Sequence, residues 1–235
     1  MSYQYVGGEL ELFAAATNWK SYFARVLAPF IGGKVLEVGA GMGSNTPFLR
    51  TERVREWTCL EPDPNLAEQI SRRIEGGELP PCCRVVAGTI DDLRPGTGYD
   101  TILYIDVLEH IKADRTELAK AAQRLGPEGK LVVLAPAHQS LFSPFDAAVG
   151  HHRRYDGASL AALEPPGCRL LTSLMLDCAG LLASLANRVV LSASQPTTRQ
   201  IAFWDKVLVP ISRVLDRPMG HSLGKTVVAV WSRNP

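Results

Sequence analysis

The feature that most constrains this chain is an apolar strand that runs directly into a glycine-rich turn, residues 34–44, KVLEVGAGMGS. Val35, Leu36 and Val38 fall on both faces of an extended segment, as in a central parallel strand that helices cover on either side. The glycines that follow let the backbone turn sharply and present N–H groups to a ligand without a Cβ in the way. The stretch therefore predicts a parallel α/β sheet that binds a nucleotide-like or carboxylate-bearing ligand.

Length and composition narrow the class of protein. The 235 residues fit one α/β domain better than two small ones, and a hydrophobic content of 46% suffices for a sizeable core. A formal net charge of +1 gives no reason to expect a nucleic-acid partner. The five cysteines form neither a C-x-x-C pair nor an even disulfide framework, and the first residues lack a signal-peptide pattern. We therefore expect reduced thiols in a cytoplasmic protein.

Strands and helices alternate regularly up to residue 136. The patterns predict an amphipathic helix over residues 9–28, and strands over 34–38, 57–61, 84–87, 99–105 and 130–135. Between them, helices are expected from residue 46, over 65–74 and over 114–125, and Thr46 is expected to cap the first of these. This rhythm predicts a doubly wound, mostly parallel sheet.

The regular alternation of strands and helices becomes less clear after residue 136. Residues 137–155 form a long connection with three histidines, and long connections in compact domains are usually functional or disordered. Beyond it, the patterns predict a strand over 168–175, an apolar helix over 178–193, a helix over 201–215 and a strand over 226–231. The apolar helix is too short to span a membrane. Packing against the core or a dimer partner is preferred for it, with a lid over the acceptor or peripheral membrane contact as alternatives.

The glycine turn departs from the dinucleotide fingerprint. G-x-G-x-x-G requires a third glycine where Ser44 stands, and Gly43 comes one residue early. Glu37 completes the pattern E-x-G-x-G-x-G, and Glu61 ends the second strand about twenty residues after the glycines, where a carboxylate can accept ribose hydroxyls. In this form the turn resembles motif I of the class I S-adenosylmethionine-dependent methyltransferases. Residues 88–93, 99–111 and 125–133 resemble further motifs of that family, in the family's order.

The resemblance covers roughly residues 33–136 and carries expectations about fold and cofactor. It implies a seven-stranded sheet whose last strand is antiparallel, with S-adenosylmethionine lying across the carboxyl ends of the strands and S-adenosylhomocysteine as the product. It divides one domain, residues 1–235, into an N-terminal helical cap (1–32), a cofactor-binding half (33–136) and an acceptor-binding part (137–235). The cofactor-binding residues that it implies are Glu37, Gly39, Gly41 and Gly43 in motif I, Glu61 at the ribose, Thr89 and Ile90 at the adenine, and Ile105 and Asp106 at the methionyl end. Thr89 stands where the family often has an acid.

Candidate catalytic residues follow the fourth strand and lie in the long connection. Asp106, Glu109 and His110 are spaced at i, i+3 and i+4 and would share one face of a helix. His110 is the first candidate base because an imidazole titrates near neutral pH, and His151 and Asp106 are further candidates. A helix cap for the acids and a hydrogen-bonded core position for His110 remain open alternatives.

The same residues raise the question of a metal. The pattern D-x-x-E-H followed by a distant histidine is similar to the metal-binding arrangement of small-RNA 3′-terminal methyltransferases and of some ubiquinone-pathway O-methyltransferases. Carboxylate oxygens and imidazoles could hold Mg²⁺ or a transition ion, but the structural alternatives are preferred and no metal ligand is predicted. Arg153 and Arg154 either bind an acidic substrate or are merely solvated.

The predicted function is transfer of a methyl group from S-adenosylmethionine to an oxygen or nitrogen of a small organic acceptor, by in-line displacement. The acceptor is expected to be a secondary metabolite, a sugar or a lipid-like molecule, and the protein a monomer or homodimer. A nicotinamide-dependent oxidoreductase and a non-catalytic S-adenosylmethionine-binding protein are the alternatives. Nucleic-acid methylation is disfavoured by the near-neutral charge and by the absence of an Asn-Pro-Pro-Tyr-like segment after the fourth strand.

Overall fold

The strands of the chain form one mixed sheet. The structure is a computed structural model that describes residues 9–94, 96, 98–190 and 197–235. Its strands are β1 (Gly33–Val38), β2 (Val54–Glu61), β3 (Cys83–Ala87), β4 (Tyr99–Ile105), β5 (Leu125–Pro136), β6 (Cys168–Leu176) and β7 (Thr226–Arg233). Their order is β3-β2-β1-β4-β5-β7-β6, with β1 to β5 parallel and β7 antiparallel to both neighbours. The predicted seven-stranded, doubly wound sheet with a reversed last strand is confirmed.

Helices cover the sheet and extend its carboxyl-terminal part. They are α1 (Glu9–Ala14), α2 (Thr17–Leu27), α3 (Thr46–Leu49), α4 (Pro64–Glu75), α5 (Asp114–Gln123), α6 (Pro144–Ala148), α7 (Gly157–Ala161), α8 (Cys178–Val190), α9 (Thr198–Phe203) and α10 (Val209–Leu215). A π-helical segment, Trp204–Leu208, joins α9 to α10. It precedes Pro210, which has no N–H to donate and whose ring conflicts with ordinary helical geometry. None of the described helices is long and apolar enough to cross a membrane.

The core lies on both faces of the sheet, as the apolar strands predicted. Val35 belongs to a buried cluster that α2 covers with Phe23 and Leu27. Leu36 and Val38 point the other way and belong to a second cluster, which α5 helps to cover. Because side chains alternate along a strand, each strand contributes to both clusters and is fixed in register.

The N-terminal helix differs from the prediction of one helix over residues 9–28. It is broken at Ala16, whose φ of −77° and ψ of 67° are not helical, and α2 has no local side-chain cap. Instead, Asp205 accepts hydrogen bonds from the N–H groups of Trp19 (2.8 Å) and Asn18 (3.3 Å). The free N–H groups at the start of α2 are thus capped from a distant helix. No local sequence pattern could have predicted this cap.

Two further buried acids connect the carboxyl-terminal helices to the sheet. Asp177 caps α8 through the N–H of Gly180 (3.0 Å) and accepts a hydrogen bond from Ser212 (2.7 Å). Asp216 accepts hydrogen bonds from the Asp177 N–H and from the Tyr22 hydroxyl, both at 2.7 Å. These contacts hold α2, α8 and α10 together at the end of β6.

Several strand and helix boundaries also differ from the predicted ones. β5 begins at Leu125 rather than at residue 130, because residues 126–129 form an irregularity inside the strand in which Glu128 has a φ of 57°. The long connection contains α6 and returns to the sheet at an isolated bridge between Ala137 and Tyr155. The predicted apolar helix is observed to Val190, and its expected last residues, 191–193, lie outside the described residues.

Candidate active site

The glycine turn, residues 39–43, joins β1 to the segment before α3. Gly39, Gly41 and Gly43 have φ values of 65°, 57° and 68°, a region that side-chain-bearing residues rarely adopt. A Cβ on Gly39 would lie 2.7 Å from Cγ2 of Val107, so this turn also packs closely against the end of β4. The glycine pattern therefore reflects real backbone requirements at a sheet edge where ligands of such folds bind.

Glu61, predicted to hold the ribose, lies against the glycine turn. Its Oε2 accepts the N–H of Gly41 at 2.7 Å, and its Oε1 accepts the N–H of Asp63 at 3.0 Å. The side chain is buried, and burial raises the pKa of this carboxyl above its ordinary value. A carboxylate has about four acceptor positions, so it retains capacity for ribose hydroxyls after these two bonds.

Glu37, the acid of motif I, is engaged inside the protein. Its Oε2 accepts hydrogen bonds from the Thr46 hydroxyl (2.6 Å) and from Trp57 Nε1 (2.9 Å). Burial raises the pKa of Glu37 to about 7, although these two hydrogen bonds oppose the shift. The expectation that Thr46 caps the next helix is wrong: Asn45 precedes α3, and the Thr46 hydroxyl binds Glu37 instead. These contacts give Glu37 a position that supports the glycine turn.

The side chains of Thr89 and Ile90, the residues predicted beside the adenine, make contacts within the protein. The hydroxyl and the N–H of Thr89 both bind Oδ2 of Asp92, at 2.9 and 2.7 Å. The side chain of Ile90 is 1% exposed and packs in the core. Any adenine contact by Ile90 would therefore use backbone atoms, whereas Thr89 is exposed, and the assignment of both residues stays a prediction.

Ile105 and Asp106, predicted at the methionyl end, stand at the end of β4. Ile105 is a core residue, whereas Asp106 is solvent-accessible and has a φ of 54° that aspartate tolerates better than most residues. Protein surrounds Asp106 closely enough that burial raises the pKa of its carboxyl to about 6, against the opposing effects of His151 and Lys225. Lys225 was not singled out in the sequence.

Asp106, Glu109 and His110, which follow β4, do not share a helix face. Leu108–His110 is a single 3-10 turn, so the helical condition for that prediction is not met. Glu109 turns inward and is fully buried, whereas Asp106 is accessible. The two acids therefore differ in exposure, although Asp106 stays close enough to raise the pKa of Glu109.

His110 and His151, the two candidate bases, are brought together. Their rings meet edge to face with centroids 4.5 Å apart, and Nε2 of His151 lies 3.9 Å from Oε1 of Glu109. One ligand-type atom from each of Glu109, His110 and His151 lies within 4.8 Å of the others. We refer to these three residues as the histidine cluster.

Asp146 holds His151 in place, and sequence reasoning missed it. Its Oδ1 lies 2.9 Å from His151 Nδ1 and 2.8 Å from Arg154 Nε, and its Oδ2 accepts the Ser143 hydroxyl at 2.7 Å. Burial acts to raise the pKa of Asp146, but the hydrogen bonds from His151 and Arg154 outweigh it and hold the pKa well below the usual range. The spacing of Ser143 and Asp146, which form a capping box, was the available signal.

The paired arginines have structural partners. Arg154 bonds Asp146, and Arg153 forms an ion pair with Asp114. Simple solvation therefore does not describe them, whereas binding of an acidic substrate stays a prediction. The arginines shape the long connection because they neutralise acids that its folding buries.

The charge states of the histidine cluster follow from its burial. Burial and the neighbouring His151 and His152 lower the pKa of His110 to about 4, which leaves its imidazole neutral at pH 7. Burial and the nearby Asp106 raise the pKa of Glu109 well above its ordinary value. The cluster thus combines neutral imidazole with a carboxyl group in a poorly solvated place.

Comparisons with known proteins agree with this geometry. Residues 36–131 match the family model of a methyltransferase domain. No curated protein matches the chain. Among solved structures, it is similar to coclaurine N-methyltransferase bound to N-methylheliamine and SAH, at 15% identity over 90% of this chain and 71% of that chain, with a TM-score of 0.61. It is also similar to geranyl diphosphate methyltransferase in complex with GPP and sinefungin, at 14% identity over 90% and 76% of the two chains, with a TM-score of 0.61.

A third structure marks the limit of what the fold alone shows. The [4+2]-cyclase SpnF is 13% identical over 97% of this chain and 95% of that chain, with a TM-score of 0.61, and its name describes a cyclisation. A shared fold does not fix a reaction. The matched residues 36–131, however, include the glycine turn, Glu61 and the segment that follows β4. Residues 36–131 thus match a methyltransferase domain, and the sheet around them has the fold of the solved methyltransferase structures.

Proposed function

We propose that this protein is a methyltransferase of the cytoplasm. It transfers a methyl group from S-adenosylmethionine to an oxygen or nitrogen of a small organic, lipid-like acceptor. The observation that carries the proposal is the position of the histidine cluster. Val107 packs against Gly39, and Glu109 and His110 follow Val107 within three residues. A donor bound at the glycine turn would therefore have titratable side chains beside it.

The donor would be held mainly by backbone groups and one acid. The fit is supported by three glycines in a conformation that side chains rarely adopt, and by acceptor positions left on Glu61. In this arrangement Glu61 binds the ribose, the backbone at Thr89 and Ile90 faces the adenine, and Gly39 and Asp106 lie at the methionyl end. S-adenosylmethionine supplies a methyl group on a positively charged sulfur.

Methyl transfer needs alignment and, for a hydroxyl acceptor, loss of a proton. The acceptor's lone pair forms a bond to the methyl carbon while the carbon–sulfur bond breaks and its electron pair stays on sulfur. His151 is the better-positioned proton acceptor because Asp146 holds its Nδ1, which leaves Nε2 directed towards Glu109. His110, with its lowered pKa, is available in the neutral form but is a weaker base.

A lipid-like acceptor is favoured by an amphiphilic face on the carboxyl-terminal helices. Residues 198–219 carry a row of exposed apolar side chains: Phe203, Val207, Ile211, Val214, Leu215 and Met219. The exposed charges of the same stretch are all basic: Arg199, Lys206, Arg213 and Arg217. Its two acids, Asp205 and Asp216, are buried. Apolar side chains beside basic ones are typical of helices that lie on anionic membranes.

Calorimetry tests the donor assignment first. We expect the purified protein to bind S-adenosylmethionine and S-adenosylhomocysteine, and NADH to give neither fluorescence enhancement nor a shift in melting temperature. Absence of binding by both sulfur compounds would overturn the proposal. A panel of hydroxyl and amine acceptors, including isoprenoid alcohols in vesicles, then tests turnover through release of S-adenosylhomocysteine, and no product from any acceptor would favour a non-catalytic binding protein.

Vesicle sedimentation tests the membrane face. We expect the protein to sediment with anionic vesicles and not with neutral ones, and Val214→Asp to weaken this because Val214 is 70% exposed within the apolar row. Leu171→Asp is a matched control, since Leu171 is 40% exposed but lies on β6. Equal binding of all three proteins, or equal binding to neutral vesicles, would contradict the assignment.

A further inference from the structure

We propose that Glu109, His110 and His151 form a binding site for a divalent transition-metal ion. The protein ligands would be one carboxylate oxygen and two imidazole nitrogens. Their ligand-type atoms already lie within 4.8 Å of one another, although the residues come from two separate segments of the chain. The inference that a metal binds depends on this geometry alone. Only the catalytic role that we give to the metal rests on the proposed methyl transfer.

The state of Glu109 is the first independent reason. Its side chain is fully buried, and no other described residue donates a hydrogen bond to either carboxylate oxygen. Its Oε1 lies 3.9 Å from Nε2 of His151, which is beyond hydrogen-bond distance. A buried carboxyl group without donors is costly in either protonation state, and an ionised one is stable only when it is paired or binds a cation. A metal ion bound to one of these oxygens would give the carboxylate a cationic partner.

The way His151 is held is the second reason. Metal-binding histidines usually donate their other ring N–H to a carboxylate or carbonyl, which fixes the tautomer and the ring orientation. Nδ1 of His151 lies 2.9 Å from Asp146, and Asp146 is itself fixed by two bonds from Arg154. Nε2 is therefore the atom left to face Glu109 and His110. The connection is also tied to the ligand turn by the His152 N–H, which bonds the Glu109 carbonyl at 2.8 Å.

The ligand set indicates which metal the site would take. Two imidazoles and one carboxylate suit Mn²⁺, Fe²⁺, Co²⁺ or Zn²⁺, whereas Mg²⁺ prefers a shell of oxygen atoms. Metal–ligand bonds of about 2.0–2.2 Å require ligand atoms roughly 3–3.5 Å apart, so these side chains would close by about 1 Å on binding. Three protein ligands leave coordination positions open, which is typical of catalytic rather than structural sites.

An open position beside the methyl donor would receive the acceptor's oxygen. Coordination lowers the pKa of a hydroxyl group, so its proton passes to water and the oxygen's lone pair is free to attack the methyl carbon. The carbon–sulfur bond then breaks with its electron pair on sulfur. With the metal bound, His110 and His151 act as ligands, and this role replaces the one of proton acceptor that His151 has in the metal-free protein. Asp146 is then a positioning residue.

Metal binding by the purified full chain tests the inference without any acceptor. After treatment with a chelator and its removal, we expect calorimetry with Mn²⁺ and with Zn²⁺ to show one site per chain, and Mg²⁺ to bind at least tenfold more weakly. His151→Ala and Glu109→Gln should weaken binding by a hundredfold or more. Asp146→Asn should weaken it by about 10- to 100-fold because the ring of His151 loses its charged partner.

His152→Ala is the matched control, since His152 is adjacent in sequence but exposed and outside the cluster. It should bind metal as the wild type does. Failure of the wild type to bind Mn²⁺ or Zn²⁺ would overturn the inference, and this result does not depend on whether any variant folds. Wild-type metal affinity in folded His151→Ala would also overturn it. Donor binding measured on the same sample separates the two proposals: binding of S-adenosylmethionine without metal contradicts only this one.

Discussion

The glycine turn and the histidine cluster lie at the same edge of the sheet but are built in different ways. The turn is contiguous in sequence, it presents backbone groups, and one acid at the end of β2 completes it. The cluster consists of side chains from two distant segments, and Asp146 and Arg154 hold it from behind. The comparison teaches that a site made of backbone groups is encoded in one contiguous stretch of sequence. A site made of side chains depends on how a long connection folds back.

The largest expected effect breaks the turn itself. Gly39→Ala should lower the free energy of unfolding by roughly 2–5 kcal/mol, because alanine is strained at positive φ and its Cβ would meet Val107. We also expect donor binding to be lost. Gly77→Ala is the control, since Gly77 has a φ of 74° with nothing within 4 Å of an added Cβ, and it should cost only about 1–2 kcal/mol. Urea unfolding measures both, and equal losses would show that Val107 imposes no constraint.

The buried acid under the turn should make stability depend on pH. Burial raises the pKa of Glu37 from 4.5 to about 7, so between these values the folded chain binds more protons than the unfolded chain. Stability therefore falls as pH rises through this window, by roughly 3 kcal/mol for this group. Glu37→Gln keeps an acceptor for Thr46 and Trp57 but does not titrate. The difference in unfolding free energy between the two proteins, measured at pH 5 and pH 8, should change accordingly, and a constant difference would contradict the buried titration.

Glu61→Ala should separate the donor site from the histidine cluster. Loss of the acceptor for the ribose hydroxyls should weaken S-adenosylmethionine binding by about 1–3 kcal/mol, with metal affinity unchanged. Glu56→Ala, on the exposed part of the same strand, is the control and should bind the donor normally. Calorimetry with each ligand gives the answer. If donor affinity is unchanged in folded Glu61→Ala, the ribose assignment is wrong.

The smallest expected effect concerns the contact between the start of α2 and the π-helical segment that contains Asp205. Asp205→Ala should lower stability by about 1–2 kcal/mol because the first N–H groups of α2 lose their cap. Asp205→Asn retains an acceptor oxygen and should lose less. Hydrogen exchange would show faster exchange at Asn18 and Trp19 in the alanine variant, while the glycine turn stays protected. Unaltered exchange at these amides would mean that the cap adds nothing.

Most of the sheet was predictable because its information is local. Alternation of apolar strands with helices predicted the order of layers, and E-x-G-x-G-x-G with Glu61 predicted the glycine turn and its acid. His110 and His151 were predicted to lie near the same site, but their direct contact was not predicted. Their contact depends on a connection that folds around Asp146, and the partner of that acid, Arg154, had been assigned to solvent or substrate.

The errors have a common physical cause. The helix over residues 9–28 breaks because its cap comes from Asp205, and Thr46 leaves its capping role because Glu37 needs a buried donor. The face shared by Asp106 and Glu109 is lost because the chain forms a single 3-10 turn. In the first two cases a distant or buried partner outweighs a local preference. Such partners become visible only once the tertiary structure is known.

The place of β7 in the sheet has a consequence for how the chain is made. β7 follows the other six strands in sequence, yet it lies between β5 and β6, and β6 pairs with it alone. As the chain leaves the ribosome, β5 and β6 emerge with unpaired edges that wait for β7, and unpaired edges invite association with other chains. The sheet therefore closes only after β7 has emerged, and the edges of β5 and β6 stay open to association until then.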